Sequence, residues 1–173
     1  MVVYTGGMRK AARGIIIRGD KILVMYRNKQ GVEYFTLVGG RVGDDETIEQ
    51  ALVREVKEET SLDVAHARLV FVEEHPEPYN EQYTFLCEVA PGATIALQDT
   101  SEEAKLNEMQ INIHQPQWAS IKAFATLPFR TPLLHEAIVK GLAKGFPKEP
   151  IKLQEQPRHS SALHRVFKKF ARK

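Results

Sequence analysis

The stretch that decides the fold is residues 40–62, GRVGDDETIEQALVREVKEETSL. It begins with a glycine, crosses an acidic segment and then runs from Ile48 to Thr60 without glycine or proline. Most residues of that run are good helix formers. Thr47 is a suitable N-cap. The acidic residues before it place negative charge near the positive end of the helix dipole, which stabilises the helix. The sequence therefore predicts a glycine-containing loop that leads into a helix.

Three carboxylates of this helix lie close to its apolar side. At about 100° per residue, apolar side chains one turn apart form a stripe along the helix. The members of the stripe are Ile48, Leu52 and Val56. Glu55 and Glu59 fall in the same sector as the stripe, and Glu58 lies beside them. A solvated acidic face, which is the ordinary alternative, would instead place the acids opposite the apolar residues.

Partly buried carboxylates at these spacings repel one another and need a positive partner. A divalent cation can supply that charge. Ligands that are all oxygen atoms select a hard ion, Mg²⁺ or Mn²⁺, over Zn²⁺. The helix therefore predicts a metal site that contains Glu55, Glu58 and Glu59.

The same stretch resembles the Nudix box. Gly40 is followed by five residues and Glu46, and then by seven residues and the run REVKEETSL at residues 54–62. The resemblance implies a loop–helix–loop that binds Mg²⁺ (or Mn²⁺) and hydrolyses a diphosphate linked to a nucleoside or a similar group. That reaction is the attack of water on phosphorus, with a carboxylate as general base.

The resemblance also assigns roles by position. It makes metal ligands of the side chains of Glu55, Glu58 and Glu59 and of the carbonyl oxygen of Gly40. It pairs Glu46 with Arg54 as a brace for the helix. Glu58 and Glu59 are the candidates for the general base within the box.

Two positions depart from the box. Ser61 stands where the box has a glycine that ends the helix. A residue at such a position often needs a positive φ, which costs serine more than glycine. Val38 replaces a proline that often precedes the two glycines. Neither departure touches a ligand position.

The rest of the chain predicts strands around this helix. We expect them over residues 13–17, 21–27, 34–38, 62–74, 82–89 and 117–119, because these stretches are rich in β-branched and aromatic residues. A short helical turn is expected over 120–125, and a helix from Thr131-Pro132 to about Lys144. The resemblance, over about residues 11–145, implies an α/β fold, an α/β/α sandwich with a mixed sheet between helices. Residues 1–146 would form this domain, and residues 147–173 a proline-punctuated linker with a basic C-terminal helix or tail.

Residues 92–115 are polar, and we expect a long irregular loop there, of the kind that is functional or mobile. Three acids of this segment are alternative candidates for the general base: Glu102, Glu103 and Glu108. Each is equally well explained as a solvated loop acid.

Two arginines flank the predicted cleft, Arg27 at the end of the second strand and Arg41 after the glycine pair. Each either clamps a substrate phosphate or is an ordinary surface residue. Beyond the box, Pro78 resembles a mark of ADP-ribose enzymes and Tyr79 a mark of dinucleoside polyphosphate enzymes, so together they do not choose a substrate. Tyr79 is also a candidate for stacking on a base. The six histidines show no zinc spacing with a cysteine, and we interpret them as surface or core residues.

The composition limits the class of protein to which the chain can belong. The chain has 173 residues, 43% of them hydrophobic and 27% charged, which is ordinary for a globular protein. Its single cysteine, Cys87, excludes an internal disulfide. No apolar run approaches the roughly 20 residues of a membrane span, and residues 1–10 lack the apolar core of a signal peptide. A reducing cytoplasm is the expected location.

Three functions remain open at this point. The first is a Mg²⁺-dependent hydrolase of a nucleotide-like diphosphate, and the second is a module of the same fold that binds a nucleotide without cutting it. The third uses the basic stretch 158–173 to associate with RNA by counterion release. The same stretch would equally serve as a solubilising end, or as a helix that docks on its own domain or on a second copy in a homodimer.

Overall fold

The structure, a computed structural model, describes residues 9–74, 81–110 and 112–154. The strands are β1 (Lys10–Arg18), β2 (Lys21–Lys29), β3 (Val32–Thr36), β4 (Val38–Arg41), β5 (Val64–Glu74), β6 (Glu81–Val89), β7 (Asn112–Ser120) and β8 (Ile151–Leu153). The helices are α1 (Ile48–Thr60), α2 (Glu102–Glu108), α3 (Ile121–Phe124) and α4 (Pro132–Lys144). The predicted pattern of strands and helices is therefore confirmed in outline. Within the described ranges, no helix is long and apolar enough to cross a membrane.

Helix α1 begins and ends where its sequence predicts. Thr47 forms a capping box with Gln50, in which each side chain accepts a hydrogen bond from the other residue's backbone N–H. At the C-terminal end, Ser61 adopts a left-handed conformation with φ of 62°. Its backbone N–H bonds the carbonyl of Lys57, and its hydroxyl donates to the carbonyl of Ala96. The serine therefore ends the helix in the conformation that glycine normally provides.

Strand β1 is the centre of the sheet. It pairs in parallel with β6 and antiparallel with β4 and with the start of β2. Strand β5 pairs with β6 on one side and with β8 on the other. Strand β2 pairs with both β3 and β7, which makes a three-stranded antiparallel part. The whole is a mixed, eight-stranded sheet.

The two large helices pack on opposite faces of this sheet. On one face, Leu52 and Val56 of α1 cluster with Ala12 and Ile16 of β1. On the other face, α4 contributes Leu134 and Ile138 to a cluster that contains the intervening Ile15. Because successive side chains of a strand point to opposite faces, β1 supplies both cores. The predicted α/β/α sandwich is confirmed.

The glycine pair lies in a strand, which corrects the predicted loop. The predicted strand 34–38 is interrupted at Leu37, and β4 then carries Gly39 and Gly40 alongside β1. Gly39 has φ of 121°, and a side chain there would collide with the backbone of Ala12. The close approach of the two strands therefore requires glycine at position 39. Val38, which stands in place of the proline, supplies a fully buried side chain.

Residues 92–115 are more ordered than predicted. They contain the helix α2 and the start of β7, which extends over nine residues instead of the three expected. Strand β7 pairs with the whole length of β2 but with no strand on its other side in the described part of the chain. Such an edge position tolerates Pro116, which has no N–H to donate.

The chain after α4 contributes to the sheet. Strand β8 pairs in parallel with β5, and Lys152 forms an ion pair with Glu74. Phe146 packs on Phe71 and lies against Gly141, where a side chain would collide with its ring. The sequence predicted no strand beyond residue 146. The basic stretch 158–173 lies outside the described residues.

We expect Ser61→Gly to unfold at a higher urea concentration than Ser61→Ala. Both variants lose the hydroxyl that bonds Ala96, but only alanine keeps a Cβ in the left-handed region. That conformation costs about 1 kcal/mol more for an L-residue than for glycine. Equal midpoints for the two variants would show that position 61 carries no conformational strain.

Candidate metal centre and active site

Helix α1 buries two carboxylates against strand β4. Glu59 is 0% exposed and Glu55 is 8% exposed. The backbone N–H of Gly39 donates to Oε2 of Glu59 over 2.6 Å, whereas Oε1 has no hydrogen-bond partner. Nη2 of Arg27, on β2, lies 3.8 Å from Oε1. One oxygen of a buried carboxylate is therefore left for a further positive group.

Burial raises the pKa of both carboxylates. The pKa of Glu59 is raised to about 8, chiefly because the ionised form is removed from water, and the charge of Arg13 opposes this only in part. Burial likewise raises the pKa of Glu55, and the neighbouring guanidinium of Arg54 lowers it by less. Neighbouring positive charge therefore does not offset burial at either group, and Glu59 is largely protonated at neutral pH.

Arg54 and Glu46 form the pair that the sequence predicts. Nη2 of Arg54 lies 2.7 Å from Oε1 of Glu46, and Nε lies 3.1 Å from Oε2, so the contact is bidentate. The same Nη2 donates to the carbonyl of Arg41, and Gly43 donates its N–H to Glu46. The Arg54 guanidinium lowers the pKa of Glu46. This network joins α1 to the loop that precedes it.

Arg54 also reaches the carboxylates assigned to the metal. Its Nη1 lies 2.9 Å from Glu55 and 3.4 Å from Glu58. Within the described ranges, no three carboxylate, histidine or cysteine side chains converge as they stand closely enough to hold a metal. The guanidinium contacts two of the expected ligands and partly neutralises them.

The residues present fit a hard cation. All the candidate donors are oxygen atoms, which suits Mg²⁺ or Mn²⁺. A Cβ on Gly40 would lie 2.5 Å from the carboxyl carbon of Glu55, so only glycine leaves room for that carboxylate. The unpartnered Oε1 of Glu59 is the second sign, because a buried oxygen without a donor is costly.

The structure separates the two candidate arginines. Arg27 approaches Glu59, and its Nε is buried without a hydrogen-bond partner. Arg41 is largely exposed and pairs with Asp44 on the surface of the loop. Arg27 is thus brought to the carboxylates, and Arg41 is not. Tyr79 lies outside the described residues.

The three candidate acids of residues 92–115 also differ in burial and in their effect on the buried carboxylates. Glu102 and Glu108 are exposed on α2, whereas Glu103 is half-buried. The charge of Glu103 contributes to the raised pKa of both Glu55 and Glu59. Of the three acids, Glu103 is therefore the one whose charge acts on the buried carboxylates.

Two polar residues near the site were not singled out from the sequence. Arg13 is buried in β1, where Nη1 donates to the carbonyl of Gly39 and Nε donates to Gln82 over 3.3 Å. His114 is 1% exposed and lies opposite Arg27 in the β2–β7 register. Burial, followed by the charge of Arg27, lowers the pKa of His114 to about 4, so it is neutral. An arginine inside an otherwise apolar strand was the only sequence signal for either residue.

Comparisons with known proteins identify the family of this chain. The chain resembles the NAD-capped RNA hydrolase NudC of Pseudomonas aeruginosa, with 26% identity over 130 residues, or 75% of this chain and 42% of that protein. The NudC of Pectobacterium carotovorum is 35% identical over 77 residues, or 44% of this chain and 30% of that protein. The matched part thus spans less than half the length of these relatives.

Solved structures show the same fold. A Nudix hydrolase from Nitrosomonas europaea superposes with a TM-score of 0.62 at 17% identity and covers 87% of this chain and 82% of its own. The E. coli ORF135 protein superposes with a TM-score of 0.57 at 24% identity and covers 79% of this chain and 93% of its own. The NUDIX domain family model matches residues 8–137, which contain every strand but β8 and all the candidate ligands. The chain belongs to the Nudix domain family.

Proposed function

We propose that this protein is a Mg²⁺-dependent hydrolase of the diphosphate linkage in a nucleotide or nucleoside-diphosphate derivative. The observation that carries the proposal is the burial of Glu59 with one oxygen unpartnered, next to Glu55 in a space that only Gly40 leaves free. A charge buried in this way costs stability unless a cation completes it. The family membership supports hydrolysis of such linkages.

Glu55, Glu58, Glu59 and the Gly40 backbone would hold the cation. When bound, the cation neutralises charge on the diphosphate and acidifies the attacking water. Arg54 keeps Glu46 and α1 in place, and the partly exposed guanidinium of Arg27, beside Glu59, would bind a phosphate oxygen. Each of these tasks requires a fixed geometry, which the strands on either side of α1 provide.

Glu58 and Glu103 are the proposed sources of the general base. Glu59 is fully buried and bonded to the Gly39 N–H, which leaves it poorly placed to exchange a proton with solvent. Glu58 is partly exposed, and Glu103 is half-buried on α2, from where its charge acts on Glu59. A base must exchange the proton that it removes from water, and neither carboxylate is sealed from solvent.

The substrate is proposed only as a class. The NudC relatives are named for NAD-capped RNA, whose cap contains a diphosphate between two nucleosides. That diphosphate is the feature that a cluster of carboxylates, a cation and Arg27 can recognise. The class therefore includes NAD-capped RNA, ADP-ribose, dinucleoside polyphosphates and nucleoside triphosphates.

A hydrolysis panel tests the function. The full chain is incubated with these four classes with Mg²⁺ and with EDTA, and the products are identified. We expect turnover of at least one class that disappears with EDTA. Binding of a nucleotide without turnover of any class would favour the sensor instead. If only RNA substrates are hydrolysed, and deletion of residues 155–173 abolishes that hydrolysis, the result would support association with RNA through the basic stretch.

On the substrate so found, we expect Glu58→Gln to reduce kcat by a factor of about 100 or more. The change removes a ligand charge but keeps the side-chain shape, so the thermal unfolding temperature should barely move. Glu49→Gln is the matched control, because Glu49 is exposed in the first turn of the same helix. Full activity in Glu58→Gln would remove Glu58 from the site.

We expect Arg54→Ala to lower both stability and activity. The variant leaves Glu46 and Glu55 without their guanidinium partner, and losing such partly buried partners costs about 2 kcal/mol. Lys57→Ala is the control on the same helix, because its pair with Asp63 is exposed and contributes about 0.5 kcal/mol. Urea unfolding measures both values, and equal losses would contradict the brace.

We expect Mg²⁺ to stabilise the protein more at about pH 8 than at about pH 5.5. Because the folded pKa of Glu59 is about 8, above its unfolded value, metal-free stability falls as the pH rises between the two values. Protons compete with the cation at low pH. Thermal unfolding should therefore show a Mg²⁺ shift of about 5 °C at the higher pH and little at the lower. A shift that does not grow with pH would argue against Glu59 as a ligand.

A further inference from the structure

Helix α2 is held in place by polar contacts rather than by a core. None of its residues is buried, and the charge of the half-buried Glu103 acts on the buried Glu59. A short helix without apolar burial has little stability of its own. Its position must therefore be set by the contacts at its two ends.

The first contact ties the segment before α2 to the end of α1. The backbone N–H of Gln98 donates to the carbonyl of Glu58 over 2.8 Å, and the N–H of Ala96 donates to Thr60 over 3.1 Å. Ser101 is buried and caps α2 by accepting the N–H of Ala104. The chain thus enters α2 from the C-terminal end of the helix that carries the metal ligands.

The second contact is a clamp between Asn107 and β7. Nδ2 of Asn107 donates to the carbonyl of His114 over 2.7 Å, and Oδ1 accepts the N–H of His114 over 2.6 Å. One amide side chain therefore satisfies both backbone groups of a residue in an edge strand. His114 in turn lies opposite Arg27, whose guanidinium approaches Glu59. The clamp therefore attaches α2 to β7 at the residue opposite Arg27.

Asn107 and Glu103 lie one turn apart on the same side of α2. Both are half-buried, whereas Glu102 and Glu108 are exposed. Side chains at i and i+4 of a helix lie one above the other. Fixing Asn107 to β7 therefore fixes which way Glu103 points.

We propose that Asn107 is a positioning residue, which holds the Glu103 carboxylate at the metal centre by clamping α2 to His114. This inference rests on the proposed function only in taking the centre to bind a divalent cation. Without the clamp, α2 keeps one anchor and can rotate or detach. Glu103 would then leave the buried carboxylates while the rest of the centre stays intact.

The test is a double-mutant cycle on Mn²⁺ affinity, measured on the full chain by electron paramagnetic resonance. Glu103→Gln and Asn107→Ala should each weaken Mn²⁺ binding by roughly tenfold, as removal of groups around a metal site does. The double variant should bind no more weakly than either single variant, because both changes remove the same carboxylate from the centre. Where a substrate is known, kcat should follow the same pattern with KM nearly unchanged.

Controls separate positioning from general damage. Met109→Ala changes an exposed side chain at the end of α2 and should leave Mn²⁺ affinity unchanged. Hydrogen exchange should speed up at the α2 amides and at the His114 N–H in Asn107→Ala, with α1 and β1 still protected. These two results show that the variant loses the clamp and keeps the fold.

The outcomes distinguish the two proposals. If Asn107→Ala leaves Mn²⁺ affinity unchanged, or weakens it further in the Glu103→Gln background, Asn107 does not act through Glu103 and the inference is overturned. If the cycle behaves as expected but no diphosphate is hydrolysed, the inference stands and the proposed enzyme function fails. If the unaltered chain binds no Mn²⁺, both are overturned.

Discussion

The site depends on a carboxylate that is buried with fewer partners than it needs. One oxygen of Glu59 accepts a hydrogen bond from the Gly39 N–H, and the other has no hydrogen-bond partner, with Nη2 of Arg27 3.8 Å away. The raised pKa shows that burial outweighs these contacts and the charge of Arg13. Helix α1 and strands β1, β2 and β4 must therefore stay in register, since a shift of any one would remove a partner that the carboxylate cannot spare.

The features that depend on local chemistry could be predicted from the sequence. The start and end of α1 follow from Thr47 and Ser61, whose effects act within one turn of the chain. The burial of Glu55 and Glu59 follows from their place on the apolar side of the helix, and the structure confirms it. The sandwich fold follows from the box together with the order of strands and helices.

The features that depend on pairing between distant strands could not be predicted. Arg13 and His114 reach the site through the register of β1 with β4 and of β2 with β7, which no local pattern encodes. Helix α2 was missed because a helix that buries none of its residues leaves no apolar periodicity in the sequence. The full extent of strand β7 could not be predicted, because a proline such as Pro116 argues against a strand and only the edge position of β7 makes it acceptable.

The parallel pairing of β1 with β6 also has a consequence for how the chain folds. Lys10 pairs with Glu81, so the strands that meet at the centre of the sheet are about 70 residues apart in the chain. Closing so long a loop costs entropy before any contact repays it. The hairpin of β1 and β2, strand β4 and helix α1 are continuous in the chain and carry Arg27, Gly39 and Glu59, so the partners of that carboxylate can meet without this closure. We therefore expect the addition of β6 to the sheet to follow assembly of the centre in folding.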